Sequence, residues 1–249
     1  MNVIVNSLAV NYQRSGTGKT VLLLHGWSDT GATFDALVKK LEKKYDIVRV
    51  DLPGFGGTQA PDTAWGLDDY ASFVADFAKK LGLKVYALGG HSNGGAIAIK
   101  TVSTLRLKPK KLLLIASAGI RGRAPLRKLA WSVVAKTGKA VTMPLPQGVR
   151  TKLRGKLYGA AGSDMLVSPH MTGTFKRITG EDVQSDAMML ELPTLIINGT
   201  DDTATPLAYA KLFNQAIEGS ELFVVEDAGH FVHQQAVEQI AEKIEAFLK

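Results

Sequence analysis

The sequence predicts an α/β fold in which a mostly parallel, twisted sheet carries helices on both faces and a helical lid is inserted. Two patterns lead to this prediction. Short apolar runs alternate with helical patterns along most of the chain, and this order builds a parallel sheet with right-handed crossovers. The alternation is interrupted once, over residues 116–193, a stretch much longer than one crossover helix requires. We therefore expect one core with one insertion.

The composition is typical of a compact globular protein. The chain has 249 residues, of which 45% are hydrophobic and 21% are charged, so it can bury a sizeable core. It contains no cysteine, which excludes disulfides, thiolate metal sites and a cysteine nucleophile. No apolar run reaches the ~20 residues that cross a bilayer, and the N-terminus lacks the pattern of a signal peptide. We expect a cytoplasmic protein without an integral membrane segment.

The charged residues are unevenly distributed along the chain. The net charge is +7. Residues 119–187 contain twelve basic and four acidic residues and so carry +8, whereas the remainder of the chain sums to −1. Because the charge is confined to one segment, the protein is not adapted to nucleic acid over its whole surface, and we expect no nucleic-acid partner.

The N-terminal region predicts a hairpin followed by a turn. Residues 3–5 and 8–12 are strand-like runs joined by two polar residues, a plausible hairpin. Residues 15–20 resemble the end of a phosphate-binding P-loop. That motif requires a glycine five positions before Gly18, where Gln13 stands, and a strand-like run follows where a helix should begin. We therefore predict a turn there.

Six further runs predict buried parallel strands, because they are short and continuously apolar, as in strands covered on both faces. They are residues 21–24, 47–50, 85–88, 112–115, 194–197 and 222–225. Apolar residues spaced three and four apart predict helices between most of them. These helices are expected within residues 34–41, 70–81, 96–105, 207–217 and 236–248.

The long interruption predicts the lid. It coincides with the basic segment, and we place the lid at residues 119–187 and the core at residues 1–118 and 188–249. An amphipathic face within residues 126–134 indicates a helix, and residues 150–161 and 171–177 are further candidates. We expect the lid to cover the carboxyl ends of the strands, where open α/β sheets bind ligands.

Ser92 is the candidate nucleophile. It lies in Gly90-His91-Ser92-Asn93-Gly94, between a strand-like run and a helical pattern, which is the strand-to-helix turn that a G-x-S-x-G motif needs. A serine there takes a strained backbone conformation that exposes its oxygen, and the flanking glycines avoid the resulting clash. A glycine-rich loop with a capping serine is the alternative interpretation.

A serine hydroxyl needs a base, which is usually histidine because the histidine pKa lies close to neutral pH. His230 follows the last predicted strand, where a loop can reach the carboxyl edge of the sheet, and it is the preferred base. We expect His233 to cap or pack near the terminal helix and His91 to point away from the site. We expect His170 to be a solvated lid residue, with contact to substrate as the alternative, and His25 to hold backbone.

The orienting carboxylate is expected after the strand over residues 194–197. It would hold the histidine tautomer and stabilise the imidazolium. Asp201 and Asp202 both follow that strand, and the residues alone leave both open. Aspartates at this position can also be turn formers.

Backbone N–H groups can hold the oxyanion of an acyl-transfer intermediate. His25-Gly26-Trp27 follows the first long strand, so the N–H of Trp27 is expected to face the N–H of Asn93 across the strand ends. Loss of one such donor typically costs about 3 kcal/mol of transition-state stabilisation. We expect these two N–H groups to form the oxyanion hole.

Five motifs together resemble those of the α/β-hydrolase superfamily, in the superfamily's own order of Ser, Asp and His. The resemblance spans both ends of the core and excludes the lid. Because the acid of the superfamily commonly precedes a proline by four residues, the resemblance favours Asp202 over Asp201. The motifs are His25-Gly26-Trp27, Asp51-Leu52-Pro53-Gly54-Phe55-Gly56, Gly90-His91-Ser92-Asn93-Gly94-Gly95, Gly199-Thr200-Asp201-Asp202 with Pro206, and Gly229-His230.

The resemblance implies a serine hydrolase without a metal or cofactor. Ser92, His230 and Asp202 would form the catalytic triad of a small carboxylesterase acting on a small-molecule acyl substrate. A carbon-carbon bond hydrolase with the same triad is the close alternative. A small-molecule receptor of the same fold with little turnover is a third. Relatives that open epoxides or cleave halides use aspartate at the nucleophile position, and Ser92 argues against both.

The positive charge of the predicted lid can influence which molecules bind to it. Its twelve basic residues can attract an anionic acyl compound, or an acidic lipid surface through peripheral membrane contact. We expect most of them to be simply solvated.

Overall fold

The computed structural model describes residues 1–121 and 169–249, which form one eight-stranded sheet with helices on both faces. The strand order is β1-β2-β4-β3-β5-β6-β7-β8. β1 pairs antiparallel with β2 and β2 pairs antiparallel with β4, whereas all other pairs are parallel. The strands are β1 Asn2–Val5, β2 Leu8–Ser15, β3 Lys19–Leu24, β4 Tyr45–Val50, β5 Val85–His91, β6 Lys111–Ile115, β7 Thr194–Gly199 and β8 Glu221–Val225.

Helices connect the parallel strands. A 3₁₀ turn at Gly31–Phe34 leads into α1, and another at Pro169–Met171 leads into α4. The helices are α1 Asp35–Leu41, α2 Leu67–Lys80, α3 Asn93–Ser103, α4 Thr172–Ile178, α5 Gln184–Ala187, α6 Leu207–Ala216, α7 Val232–Gln235 and α8 Val237–Leu248. None of these helices is long and apolar enough to span a membrane.

The sheet separates two hydrophobic cores. Successive strand residues point to opposite faces, so Leu22 and Leu24 of β3 pack with α2, α3 and α6, whereas Val21 and Leu23 pack with α1 and α8. Complete burial of one such side chain contributes roughly 1.5–3 kcal/mol. The two cores hold the strand ends, and the loops that leave them, in a rigid frame.

The predicted fold class is confirmed, and all eight predicted strands are present. β8 differs from the prediction of a strand buried on both faces, because it is the edge strand and only Val225 is fully buried. The predicted turn over residues 15–20 is shorter than expected, since Ser15 ends β2 and Lys19 begins β3.

The lid prediction is tested only where residues are described. The predicted helix over residues 171–177 corresponds to α4. The predicted helices over residues 126–134 and 150–161 lie outside the described residues. The division into a core at 1–118 and 188–249 and a lid at 119–187 stays a prediction.

Candidate active site

The predicted site residues all follow strands of the parallel part of the sheet. Trp27 follows β3, Ser92 follows β5, Asp202 follows β7 and His230 follows β8. Because parallel strands end at the same edge of a sheet, the fold brings these four loops to its carboxyl edge.

Ser92 sits in a strained turn between β5 and α3. Its φ of 52° and ψ of −118° are a conformation that side-chain-bearing residues rarely adopt, at a cost of order 1–3 kcal/mol. Gly90 and Gly94 make the turn sterically feasible. A Cβ on Gly90 would overlap the carbonyl of Gly94, and a Cβ on Gly94 would overlap the carbonyl of Leu24. The prediction that both glycines avoid a steric clash therefore agrees with the packing of the turn.

His230 and Asp202 are in direct contact. Nδ1 of His230 lies 2.9 Å from Oδ2 of Asp202. The Asp202 side chain is fully buried, whereas 20% of the His230 side chain is exposed. Because a carboxylate only accepts hydrogen bonds, Nδ1 of His230 carries the proton and Nε2 is the nitrogen that can take another.

The Asp202 carboxylate is held as an anion by four donors. Oδ1 accepts the N–H groups of Ala204 and Thr205, each at 2.8 Å. Oδ2 accepts from His230 and lies 2.7 Å from the Thr205 hydroxyl. Burial is the largest influence on the carboxyl group and opposes ionisation, but the hydrogen bonds from His230 and Thr205 outweigh it, so the pKa of Asp202 is lowered.

The two candidate aspartates have different environments. Asp201 is exposed, and its N–H donates to the carbonyl of Ala228. Asp202 alone is buried against His230. Of the two residues that the sequence left open, the structure pairs Asp202 with the histidine.

His91 does not point away from the site, so that expectation is wrong. Nε2 of His91 lies 3.0 Å from the carbonyl oxygen of His230, and the two rings are 4.8 Å apart. The Nε2–H of His91 therefore donates to the backbone of His230. Burial, together with the nearby His233 and His230, lowers the pKa of His91 well below its ordinary value. His91 is thus a neutral support beneath the candidate base.

His233 packs inside the fold, as expected. Its ring lies 5.1 Å from that of Phe34 and 4.5 Å from that of His91, and Nε2 lies 3.1 Å from the hydroxyl of Thr33. Burial lowers its pKa to about 4. His233 is therefore neutral at physiological pH.

His25 holds backbone, as expected. Its Nε2 accepts the N–H of Leu52 at 2.8 Å, so Nδ1 carries the proton and donates to the carbonyl of Gly26 at 2.7 Å. Burial lowers the pKa of His25, which favours this neutral form. One imidazole thus ties the loop after β3 to the loop after β4.

The two loops predicted to form the oxyanion hole lie against each other. A Cβ on Gly26 would be 3.2 Å from Cβ of Ser92, and a Cβ on Gly94 would overlap the carbonyl oxygens of Leu24 and His25. Trp27 is held by ring contacts with Phe55 at 4.8 Å and Phe175 at 5.0 Å. The role of the Trp27 and Asn93 N–H groups stays a prediction.

His170 borders this edge. It is exposed, as expected, and its Nε2 lies 3.1 Å from the carbonyl oxygen of Gly54. It lines a cavity of about 360 Å³ together with Ser28 and Asp29. Among residues 1–121 and 169–249, no cluster of three or more His, Cys, Asp or Glu residues is arranged to hold a metal ion.

Sequence reasoning missed Thr205. This buried threonine donates its N–H to Asp202, and its hydroxyl lies 3.2 Å from Nδ1 of His230 and 2.9 Å from the carbonyl oxygen of Ala116. The local signal was weak, because two threonines, Thr203 and Thr205, stand between Asp202 and Pro206. Its partner Ala116 lies 89 positions away in the chain, so the contact is visible only in the fold.

Comparisons with known proteins find a matching family and relatives that align with most of this chain. A family model described as the alpha/beta hydrolase family matches residues 21–243. The chain is 26% identical to the uncharacterized hydrolase YugF of Bacillus subtilis, over 98% of this chain and 95% of that protein. It is 27% identical to the serine hydrolase BPHL of Mus musculus, over 99% of this chain and 85% of that protein.

Solved structures share the fold at lower identity. A bacterial membrane phospholipase A has a TM-score of 0.79 and 23% identity, covering 100% of this chain and 84% of that one. An esterase from Thermogutta terrifontis has a TM-score of 0.74 and 22% identity, covering 100% and 97%. A meta-cleavage product hydrolase from Pseudomonas fluorescens has a TM-score of 0.75 and 20% identity, covering 99% and 96%.

Proposed function

The chain belongs to the alpha/beta hydrolase family, and we propose that it is a serine hydrolase that cleaves a small carboxylic ester through an acyl-enzyme. Hydrolase chemistry follows from the family. The ester substrate and the roles of individual residues are the proposal.

The contact between His230 and Asp202 carries the proposal. Its 2.9 Å length and the fully buried carboxylate leave Nε2 of His230 as the basic nitrogen. The strained turn at Ser92 supports the same assignment. A residue keeps an unfavourable backbone conformation only where the surrounding structure enforces it, and strained residues of this kind cluster at functional sites.

The proposed reaction proceeds in two halves. Oγ of Ser92 attacks the ester carbonyl carbon while its proton passes to Nε2 of His230, and the N–H groups of Trp27 and Asn93 hold the oxyanion. The intermediate collapses, and the alkoxide leaves with the proton from His230. Water, deprotonated by the same imidazole, then attacks the acyl-enzyme and releases the acid and Ser92. Asp202 stabilises the imidazolium in both halves.

The test is turnover together with covalent labelling. The purified protein is assayed with p-nitrophenyl acetate and butyrate, and a fluorophosphonate adduct is located by mass spectrometry. We expect label on Ser92 only, and loss of both labelling and turnover in Ser92→Ala. Ser72→Ala, which removes the hydroxyl of a partly exposed serine on α2, is the matched control and should keep both.

The same assay separates the alternatives. A carbon-carbon bond hydrolase would cleave a vinylogous diketone faster than either ester and would still be labelled at Ser92. A receptor would bind a small molecule with turnover near the uncatalysed rate. Turnover of the esters by Ser92→Ala at the unmodified rate would refute the mechanism.

A further inference from the structure

The edge of the sheet opposite the candidate active site carries a basic groove. It has a volume of about 870 Å³ and lies where β3 and β5 begin and the loop before β6 arrives. Its cationic lining comes from four separate stretches of the chain: Arg14, Lys19, Lys84, Lys108 and Lys110. We call these five residues the basic groove.

Three lysines of the basic groove are exposed. Among the described residues, no carboxylate forms an ion pair with Lys84, Lys108 or Lys110. Lys19 lies over the ring of Tyr86, with Nζ 4.3 Å from its centroid. Within the described part of the chain, the charges of Lys84, Lys108 and Lys110 therefore face solvent without a neutralising carboxylate.

Among the described lining residues, the one carboxylate of the groove, Asp46, already has hydrogen-bond partners. Asp46 accepts two hydrogen bonds from Arg14, at 2.8 and 2.9 Å, and one from the Thr20 hydroxyl at 2.7 Å. These bonds outweigh the cost of burial and lower the pKa of Asp46. The Arg14–Asp46 pair is close to neutral, so the exposed lysines dominate the potential of the groove.

An exposed apolar side chain lies in the same loop. Leu105 is 67% exposed, and its backbone has a positive φ of 57° at the end of α3. It stands three residues before Lys108 and two before Leu107, which lines the groove. Leucine beside lysines is the combination that membrane-surface proteins present to the headgroup region.

We propose that the basic groove and Leu105 dock the protein on an anionic phospholipid surface. Headgroup phosphates complement the lysines, and Leu105 reaches the apolar boundary. Nucleic acid fits less well, because duplex recognition favours planar arginine contacts, whereas the guanidinium of Arg14 is already paired with Asp46 and the other cations of the groove are lysines. This places the membrane contact at the edge of the sheet opposite the candidate active site.

The proposed orientation leaves the catalytic loops open to water. β5 has seven residues, so about 20 Å separate its two ends. The basic groove lies at the edge of the sheet where the parallel strands begin, which we call the amino edge. A protein bound through the amino edge therefore presents Ser92 to the aqueous side. Membrane binding should not change turnover of a soluble ester.

The experiment is co-sedimentation of the full chain with vesicles. Vesicles of phosphatidylcholine alone are compared with vesicles containing one-third phosphatidylserine, at 50 and 500 mM salt. We expect binding only to the anionic vesicles at low salt, and release at high salt because the charges are screened. Lys108→Glu with Lys110→Glu should weaken binding by at least about 25-fold, from about fivefold per lysine.

The matched control changes the same charge elsewhere. Lys176 on α4 and Lys211 on α6 are also exposed, and Lys176→Glu with Lys211→Glu should retain binding within about twofold. Leu105→Ser should weaken binding while leaving the net charge unchanged. Circular dichroism reports that each variant is folded.

Three results would overturn the proposal. Absence of binding to anionic vesicles by the unmodified chain would do so directly. Equal loss in both double variants would indicate net charge rather than a surface. Tighter binding to a 20-base-pair duplex than to the vesicles, lost in Lys108→Glu with Lys110→Glu, would assign the groove to nucleic acid.

Discussion

Within residues 1–121 and 169–249, the loops at the carboxyl edge of the sheet are mainly acidic, whereas basic residues predominate at the amino edge. At the carboxyl edge, the loops after β3, β4, β7 and β8 and the described residues 116–121 after β6 contain one basic residue, Arg121, and seven acidic ones: Asp29, Asp51, Asp62, Asp201, Asp202, Glu226 and Asp227. The amino edge carries nine basic residues, Arg14, Lys19, Lys43, Lys44, Lys84, Arg106, Lys108, Lys110 and Lys111, and five acidic ones, Glu42, Asp46, Glu191, Glu218 and Glu221.

The edges also differ in how their charges are held. Asp202 is buried with four donors, and Asp51 is buried and accepts the N–H groups of Gly31 and Gly57 at 2.8 and 2.9 Å. Lys84, Lys108 and Lys110 are exposed. Buried charges with fixed partners can position atoms for a reaction, whereas exposed charges act through the field they create. The first edge is therefore suited to chemistry and the second to association.

Removing the Asp202 charge should have the largest effect. Asp202→Asn keeps the shape of the side chain but disfavours the Nδ1–H tautomer of His230, so we expect kcat for an activated ester to fall by about 10⁴-fold. Asp201→Asn is the control and should keep kcat within about twofold. Equal losses in the two variants would contradict the assignment of Asp202.

Lowering the pH should destabilise the fold through its buried histidines. The folded-state pKa of His233, about 4, lies below the ordinary value of 6.5, so the unfolded chain binds the extra proton between these values. Stability is then full above pH 6.5 and falls as the pH drops toward 4, by on the order of 3 kcal/mol from this residue.

Urea unfolding at pH 7.5 and 5.0 measures this effect. His233→Phe keeps an aromatic ring against Phe34, and Thr33 retains the donor of Gln234 at 2.9 Å. The variant should lose less stability between the two pH values than the unmodified protein. An unchanged difference would mean that His233 does not titrate as its burial indicates.

Loss of the support beneath His230 should have a smaller effect. His91→Phe removes the donor to the carbonyl of His230 while keeping a ring in the cluster, so we expect kcat to fall about tenfold with KM unchanged. His91→Gln, which restores an N–H donor, should recover part of the loss. A change in KM alone would show that His91 does not position the base.

Charge reversal at the amino edge should have the least effect on chemistry. Lys108→Glu with Lys110→Glu lies at the opposite end of the sheet, so turnover of a soluble ester should stay within about twofold and the free energy of unfolding within about 0.5 kcal/mol. Stopped-flow turnover and urea melts check both. A large loss of turnover would show that the amino edge influences the chemistry at the carboxyl edge.

Much of the sheet and part of the candidate site could be predicted from the local sequence. The strands were predictable because continuous apolar runs mark strands buried on both faces, and α2 was predictable from its 3.6-residue spacing. Ser92 was predictable because glycines at positions 90 and 94 allow the strained turn. Asp202 was separated from Asp201 only by resemblance to the superfamily.

The long-range contacts were not accessible from sequence. His91 was expected to point away, yet it donates to a carbonyl 139 positions further along the chain. The charge of the chain outside residues 119–187 sums to −1, which hid the difference in charge between the described loops of the two edges. A sum of charges along the chain does not record at which edge of the sheet each loop lies.

By itself, the sequence determined the order of strands and helices and the residue types that follow each strand, because periodicity and turn chemistry are local properties. Only the tertiary structure decided that Asp202 contacts His230, that His91 supports that base, and that lysines from separate loops share one groove. The physical reason is that parallel pairing gathers strand ends that are far apart in the chain, and only then do their side chains acquire partners.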